Sequence, residues 1–486
     1  MTRLVAVSNR VTGPRRSVAA GGLAVGVMAA MKARGGMWFG WSGEIVDDAP
    51  GEPAIIHRGN VALATIDLPR HDCELYYAGF CNNCLWPLFH YFVGTFQYSD
   101  DQYEAYGRVN RLFADRLRPL LRGDDLVWIH DYHLVPLGRM LRDAGAQQPL
   151  GFFLHIPFPH IEALRALPVH DEVVRDLLSY DVVGFQTASD LDSFRSAVMN
   201  LHGAGALCRD GSIRVGDRHT VAGVFPIGVD VDGIQREALE SQVHEAVRRM
   251  QSGLLGRRCI IGVDRLDYSK GLVDRFQSYE RFLERYPDSL NHVTFLQIAP
   301  VSRGDVKAYS EIRRSLEQAA GRINGRFADT DWTPIRYLNR NFPHDVLMGF
   351  LRCAQVGLVT PMRDGMNLVA KEFIAAQDPE DPGVLVLSTL AGAAHEMGDA
   401  LLVNPRDTQG VARAIQHALV MPLAERRARH RRMLDVLRRN DIHAWHARFI
   451  AQLQAAGGSG QRSIKHSRRD DRQEEAESRR KLAPIH

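Results

Sequence analysis

Cysteine is scarce in this chain: six residues in 486 make no disulfide framework of the kind small secreted folds depend on. One pair, Cys81-Asn82-Asn83-Cys84, has the spacing of a zinc site. No second pair accompanies it, and the flanking sequence lacks the helix-opening context of a thioredoxin-type redox motif. Long apolar runs are missing too. No stretch approaches the ~18 consecutive apolar residues of a membrane span, and Leu4 to Val7, behind Met1-Thr2-Arg3, is too short for a signal peptide. A cytoplasmic compartment is the simplest expectation. Nor does charge of one sign dominate. Lys and Arg total 60 against 57 Asp and Glu, a net of +3, which argues for neither nucleic acid nor an anionic membrane as partner. No internal repeat is found.

What is present is length and pattern. A chain of 486 residues outgrows one core, so two domains of ordinary size are expected. Short apolar runs alternate with helical patterns, which predicts parallel α/β sheets. Leu4 to Val7, Leu126 to Ile129, Gly151 to Leu154 and Asp181 to Phe185 read as strands. Past their ends stand Ser8-Asn9-Arg10, His130-Asp131-Tyr132-His133, His155-Ile156-Pro157-Phe158-Pro159 and Gln186-Thr187. Open α/β sheets bind ligands at the carboxyl ends of strands, so four polar ends in series indicate one crevice. Arg258 to Val263, Val293 to Ile298 and Val384 to Leu387 are strands of a second unit. A boundary near Ile227-Gly228 gives an N-terminal Rossmann-like domain over 1–227 and a C-terminal one over 228–440, with ligands between them. Thr408 to Arg439 reads as helical with a basic exposed face. Segment 441–456, with Trp445 and Phe449, reads as a closing helix that returns to the first domain. Residues 457–486 are nearly devoid of apolar side chains and read as a disordered tail.

One stretch organises the rest. Val356 to Val359 fits a buried parallel strand, Pro361 ends it, Asp364-Gly365 makes a turn, and Asn367 to Phe373 begins a helix. Such a helix start offers unpaired N–H groups and a positive dipole end to an anion. Glu372, one to two turns in, is placed to reach a sugar hydroxyl beside a bound phosphate. Asp364 and Asn367 have a plainer reading as helix caps. Arg265 and Lys270 share the loop after the strand at 258–263, with Gly271 following. Two cations there suit a diphosphate and the charge that develops as it leaves. The glycines at 21 and 22 allow a backbone to approach a phosphate closely. Arg10 and Arg303 stand singly at strand ends. His130, His133 and His155 with Asp131 invite a metal, but no supporting carboxylates or cysteine set goes with them, so none is expected. Asp230-Val231-Asp232-Gly233 resembles the nucleophile motif of haloacid-dehalogenase phosphatases. Ile234 departs from that motif, and no downstream acidic pair for magnesium is evident, so it reads as the start of the second domain.

Taken together these stretches resemble the trehalose-6-phosphate synthase family of retaining glycosyltransferases. The matching pieces also include Trp38-Phe39-Gly40-Trp41-Ser42-Gly43, Leu85-Trp86-Pro87 and Arg265-Leu266-Asp267-Tyr268-Ser269-Lys270-Gly271. They run in order over about residues 3 to 453; Asp264, where glutamate is common, is a small departure. The resemblance implies a GT-B fold, two facing Rossmann-like domains with the active site in the cleft between them. It implies transfer of glucose from UDP-glucose to glucose-6-phosphate with retention of configuration, without metal or cofactor. Arg265 and Lys270 would then hold the diphosphate, Gly22, Leu368 and Val369 would offer backbone donors, and Glu372 would bind the ribose. Asp364, Met366, Asn367 and His155 would surround the donor glucose. Trp41 and Asp131 would meet the acceptor sugar, and Arg10, Tyr77, Trp86 and Arg303 would hold its phosphate. A homo-oligomer is the expected assembly. The rival readings are a synthase using an ADP- or GDP-activated donor or another acceptor, and a non-catalytic sugar-phosphate sensor.

Overall fold

The computed structural model describes residues 2–11, 22–47, 50–301 and 307–457. Arg303, Gly21 and the expected tail from residue 458 lie outside the described residues. Two sheets carry the architecture. The first contains β1 (Leu4–Arg10), β2 (Gly36–Val46), β3 (Ala54–Arg58), β4 (Val61–Pro69), β5 (Leu126–His130), β6 (Leu150–Phe153), β7 (Val182–Phe185), β8 (Ile213–Val215) and β9 (Arg218–Val224). Their spatial order is β3-β4-β2-β1-β5-β6-β7-β9-β8. Only the two edge pairs, β3 with β4 and β8 with β9, are antiparallel. The second sheet is parallel: β10 (Arg258–Val263), β11 (Val293–Ile298), β12 (Ile335–Leu338), β13 (Val356–Val359), β14 (Val384–Ser388) and β15 (Leu401–Val403), in the order β12-β11-β10-β13-β14-β15.

Central strands such as β5, β6, β7 and β13 are buried along their whole length. Helices cover both faces of a parallel sheet, so these strands read as apolar runs without alternation. Each sheet has one point where the winding reverses. The chain leaves β1 for β2 on one side and returns to β5 on the other; likewise β10 lies between β11 and β13. Crevices open at the carboxyl ends there, and these are the places where Ser8 to Arg10, His130 to Asp131, Asp264 to Lys270 and Thr360 to Asp364 emerge.

Three features depart from sequence expectation. The strands between Gly36 and Pro69 carry glycines at 36, 40 and 43, and β3 is exposed throughout, so no buried apolar run announces them. Glu74–Leu85 is a wide helix with i→i+5 turns that buries Cys81 and Cys84; such turns have no residue signature. The run from Thr408 to Arg439 is two helices, Thr408–Val420 and Leu423–Arg439. Pro422 stands between them, because proline has no N–H to continue the first.

The chain crosses between the sheets twice, and the crossings touch. A Cβ on Gly228 would sit 2.2 Å from the Asn440 carbonyl oxygen, and Ile442 N donates to Val229 O at 3.2 Å. Helix 442–457 then lies against the first sheet. Phe449 stacks on Trp128 with centroids 4.7 Å apart, and Trp445 packs on the same ring at 4.8 Å. One apolar cluster runs from Trp38 and Trp128 through Trp445 to Phe373 and Leu385, so the floor of the cleft is continuous core.

Candidate active site

Two loops of the second sheet build one wall. After β10, Asp267 caps a single turn by accepting from Ser269 N at 2.9 Å. Gly271 follows at φ 64°, where a Cβ would meet Thr360 O at 2.7 Å; only glycine fits that left-handed position. Beneath lies Arg275, whose side chain is wholly buried. It pairs with Asp264 and donates to Gln297 Oε1 at 3.0 Å, to Thr360 Oγ1 at 3.0 Å and to the Lys270 carbonyl at 3.2 Å. One buried guanidinium with four hydrogen bonds thus locks the loop after β10 to the loop after β13. Asp264 has a partner that its sequence position does not disclose.

On that support Lys270 and Asp364 form an ion pair, and Asn367 Nδ2 donates to Asp364 Oδ2 at 3.1 Å. Burial alone would raise the Asp364 carboxyl; the Lys270 ammonium and its hydrogen bond outweigh that, and the carboxyl is held below its usual value. Asn367 also caps the helix Leu368–Ala376, its Oδ1 accepting from Ala370 N at 3.3 Å, with φ 74°. The plain reading as a cap therefore holds for Asn367 and fails for Asp364. Met366 and Asn367 are buried, Leu368 and Val369 are half-buried at the helix start, and Glu372 is one turn on.

The facing wall comes from the first sheet. Asp131 stands past β5 with φ 75°, a strained conformation for an aspartate. Its Oδ1 accepts from His155 N at 3.2 Å. His130 Nδ1 lies 3.2 Å from His155 Nε2. Burial pushes His155 down to about 3, and burial and then His155 push His130 down as well, so both rings are neutral at ordinary pH. Arg10, at the end of β1, lies with its guanidinium 5.4 Å from the Trp41 ring centre and over Gly43. Trp41 meets Tyr77 edge-on at 5.9 Å, and Tyr77 stacks on His133 at 5.8 Å. Trp86 packs on His90 with centroids 4.1 Å apart and the rings tilted by 33°.

The two walls touch. A Cβ on Gly365 would sit 2.2 Å from the His155 carbonyl oxygen. The Arg265 guanidinium lies 5.6 Å from the Trp86 ring centre. Arg363 lies 4.9 Å from the Tyr91 ring centre, and its Nη2 is 3.9 Å from Asp190 Oδ1. Tyr268 and Phe92 meet at 5.0 Å. Arg10, Trp41, Tyr77, Trp86, Asp131 and His155 thus belong to the strands, loops and helices around the first sheet, and Arg265, Lys270, Asp364, Met366, Asn367, Leu368, Val369 and Glu372 to those around the second. Gly22 opens the helix Gly22–Arg34. His90, Arg275 and His344 were not singled out in the sequence. His90 is held down to about 4, first by burial, and its field includes Asp267, Asp364 and Lys270. Its only sequence signal is the i+4 spacing from Trp86. Among the described residues no group of three or more His, Cys, Asp or Glu could hold a metal ion. A separate cavity of about 350 Å³, lined by Met250, Leu254, Thr294 and Phe350 among others, contains none of these residues.

The profile of glycosyltransferase family 20 matches residues 8–455. The trehalose-6-phosphate synthase of Klebsiella pneumoniae subsp. pneumoniae is 50% identical over 456 residues, 93% of this chain and 95% of that protein. An α,α-trehalose-phosphate synthase (UDP-forming) from Burkholderia xenovorans, solved in complex with glucose-6-phosphate, superposes with TM-score 0.90 at 51% identity, over 93% of this chain and 100% of the other. An E. coli structure bound with UDP-2-fluoro glucose does so with TM-score 0.87 at 46% identity, over 93% and 98%. The two facing sheets are those of the GT-B synthases, and this chain belongs to glycosyltransferase family 20.

Proposed function

We propose that this chain transfers glucose from UDP-glucose to glucose-6-phosphate with retention of configuration, releasing UDP and α,α-trehalose 6-phosphate. The observation that carries the reading is the Lys270–Asp364 pair, set where the loop of Gly365 meets the backbone of His155. A cation for the leaving diphosphate and an acceptor for sugar hydroxyls there stand side by side. In this reading Arg265 and Lys270 hold the diphosphate, with backbone donors from Gly22, Leu368 and Val369, and Glu372 takes the ribose. Asp364, Met366, Asn367 and His155 surround the donor glucose. Trp41 and Asp131 meet the acceptor sugar, while Arg10, Tyr77, Trp86 and Arg303 hold its phosphate. The domains divide as 1–227 and 228–440 with 441–456 returning, and the enzyme is cytoplasmic and homo-oligomeric.

Retention by a covalent intermediate would need a carboxylate free to attack the anomeric carbon. Asp364, bonded through Oδ2 to Lys270 and Asn367, and Asp131, bonded through Oδ1 to the His155 N–H, are both assigned in this reading to sugar hydroxyls. We therefore assign front-side displacement. The bond from the anomeric carbon to the UDP oxygen breaks through an oxocarbenium-like state, and the acceptor hydroxyl bonds to the same face. The leaving phosphate oxygen takes that hydroxyl's proton, and Arg265 and Lys270, in place of a divalent metal, stabilise the charge that develops on it.

UDP release with glucose-6-phosphate or with unphosphorylated glucose tests the reading. Arginine–phosphate bonds are charge-assisted and geometrically specific. Arg10→Ala should lose most of its kcat/KM with the phosphorylated acceptor and little of the slow rate with glucose. An equal loss on both acceptors, with a lower melting temperature, would mean that Arg10 is structural and would remove the support for a sugar-phosphate acceptor.

A further inference from the structure

His344 opens the helix His344–Cys353, and both of its ring nitrogens face carboxylates. Nδ1 lies 2.7 Å from Glu237 Oε2, and Nε2 lies 3.9 Å from Glu372 Oε1. Glu237 belongs to the helix Val231–Glu240, the first after the crossing at Gly228, and Glu372 to the helix Leu368–Ala376. A neutral imidazole has one N–H and can donate to only one of two such partners. Two carboxylates, one bonded to Nδ1 and one within ion-pair distance of Nε2, favour the doubly protonated ring by their charge. Among the described residues Glu372 has no other ion-pair neighbour, and its side chain is 19% exposed.

We propose that His344, as an imidazolium, is a positioning residue for the donor: it holds the Glu372 carboxylate in place for the nucleotide ribose and ties it to the first helix of the second domain. This rests on the assignment of Glu372 given above. The Nδ1 bond to Glu237 is short enough to fix the ring plane. The Nε2 contact, longer than a hydrogen bond, orients the Glu372 carboxylate by charge and leaves its oxygens able to accept from ribose hydroxyls. A helix N-terminus disfavours a cation, so the two carboxylates work against the dipole. The helices Val231–Glu240, Glu245–Gly253 and Leu368–Ala376 pack against the helix of His344. The first and third present Glu237 and Glu372; the second presents no carboxylate within ion-pair distance among the described residues. Asp345 is its neighbour on the same helix. Consistently, Glu372 first and Glu237 after it raise His344 to about 9, against the pull of burial. The cation is therefore complete at neutral pH and is lost as pH rises through that value.

The test is calorimetric binding of UDP together with the KM for UDP-glucose, from about pH 7 to about pH 10. The variants are H344Q, H344R and E372Q, with a melting temperature for each. In the unchanged protein UDP affinity should fall as pH passes about 9. H344Q should bind UDP a few-fold more weakly than the unchanged protein at about pH 7, the scale of a partly exposed ion pair, and the difference should close above about pH 9, while kcat at saturating donor stays near its original value. H344R, charged throughout, should restore affinity and abolish the fall near 9. Unchanged UDP binding in H344Q alongside weakened binding in E372Q would overturn the role of His344 alone. Unchanged binding in E372Q would overturn the ribose assignment and this inference with it. A fall near 9 that persists in H344R would place the titrating group elsewhere and also refute the proposal.

Discussion

Lys270 is held by Asp364, and its own carbonyl is gripped by Arg275, so its ammonium is pre-positioned at no cost during the reaction. Removing one such donor typically lowers kcat by ~10²–10³, and Lys270→Ala should fall in that range; because it leaves the largely buried Asp364 without its cation, the melting temperature should drop too. A variant that alters only the donor KM would put Lys270 on ground-state binding instead. The buried histidines set the acid limit. His90 and His446 are held down to about 4 and His155 to about 3, in each case first by burial. The unfolded chain binds protons at these sites from about pH 6.5 downward and the folded one does not, so stability is lost as pH falls from there. Thermal melts at successive pH values should show a steady decline between about 6.5 and 4; a flat profile would mean that these rings are hydrated in the native protein. Lys270 and Asp364 were prominent in the sequence because they stand in loops that follow apolar runs, and Glu372 because it lies on the helix that follows one of those loops. Arg275 and His344 were not, since a cation inside a helical pattern looks like surface charge until the fold brings Asp264, Glu237 and Glu372 to it.

The strand–loop–helix unit from β13 through Ala376 is fixed at both ends of its helix start. Asn367 caps it, and Lys371, wholly buried, donates to Ile227 O and pairs with Glu396, both at 2.6 Å. The loop between is pressed onto His155 and Ile156, where Gly365 leaves no room for a Cβ. Gly365→Ala should push the two walls apart. A misplacement of ~1 Å at a reacting centre costs on the order of 10²-fold in rate, and the fold, by circular dichroism and melting, should persist. Full activity in this variant would mean that the loops do not meet during turnover. Elements of this kind, where an apolar run stops at proline or glycine, are readable from residues alone. The strands from Gly36 to Pro69 and the wide helix Glu74–Leu85 are not. Their conformations are chosen by the sheet edge and by packing of Tyr76, Phe80 and Cys84 into the core, contacts distant in sequence.

Across the whole molecule, the last helix joins what the cleft divides. Trp445, Phe449, Ile450 and Leu453 are fully buried, and a Cβ on Gly151 would already touch the Phe449 ring at 2.7 Å. A chain ending at Gly457 should melt with the full-length protein, whereas one ending at Ala444 exposes the Trp128 face and should melt far lower or fail to fold. Equal melting points would mean that the returning helix contributes nothing. In the proposed function these two sheets bring a nucleotide sugar and a sugar phosphate together for transfer with retention. The direct measurement is proton NMR of the product formed from UDP-glucose and glucose-6-phosphate. The expected product is a phosphorylated disaccharide with two α-anomeric signals, formed in step with UDP. A β-anomeric signal, or UDP released with free glucose and no disaccharide, would contradict it.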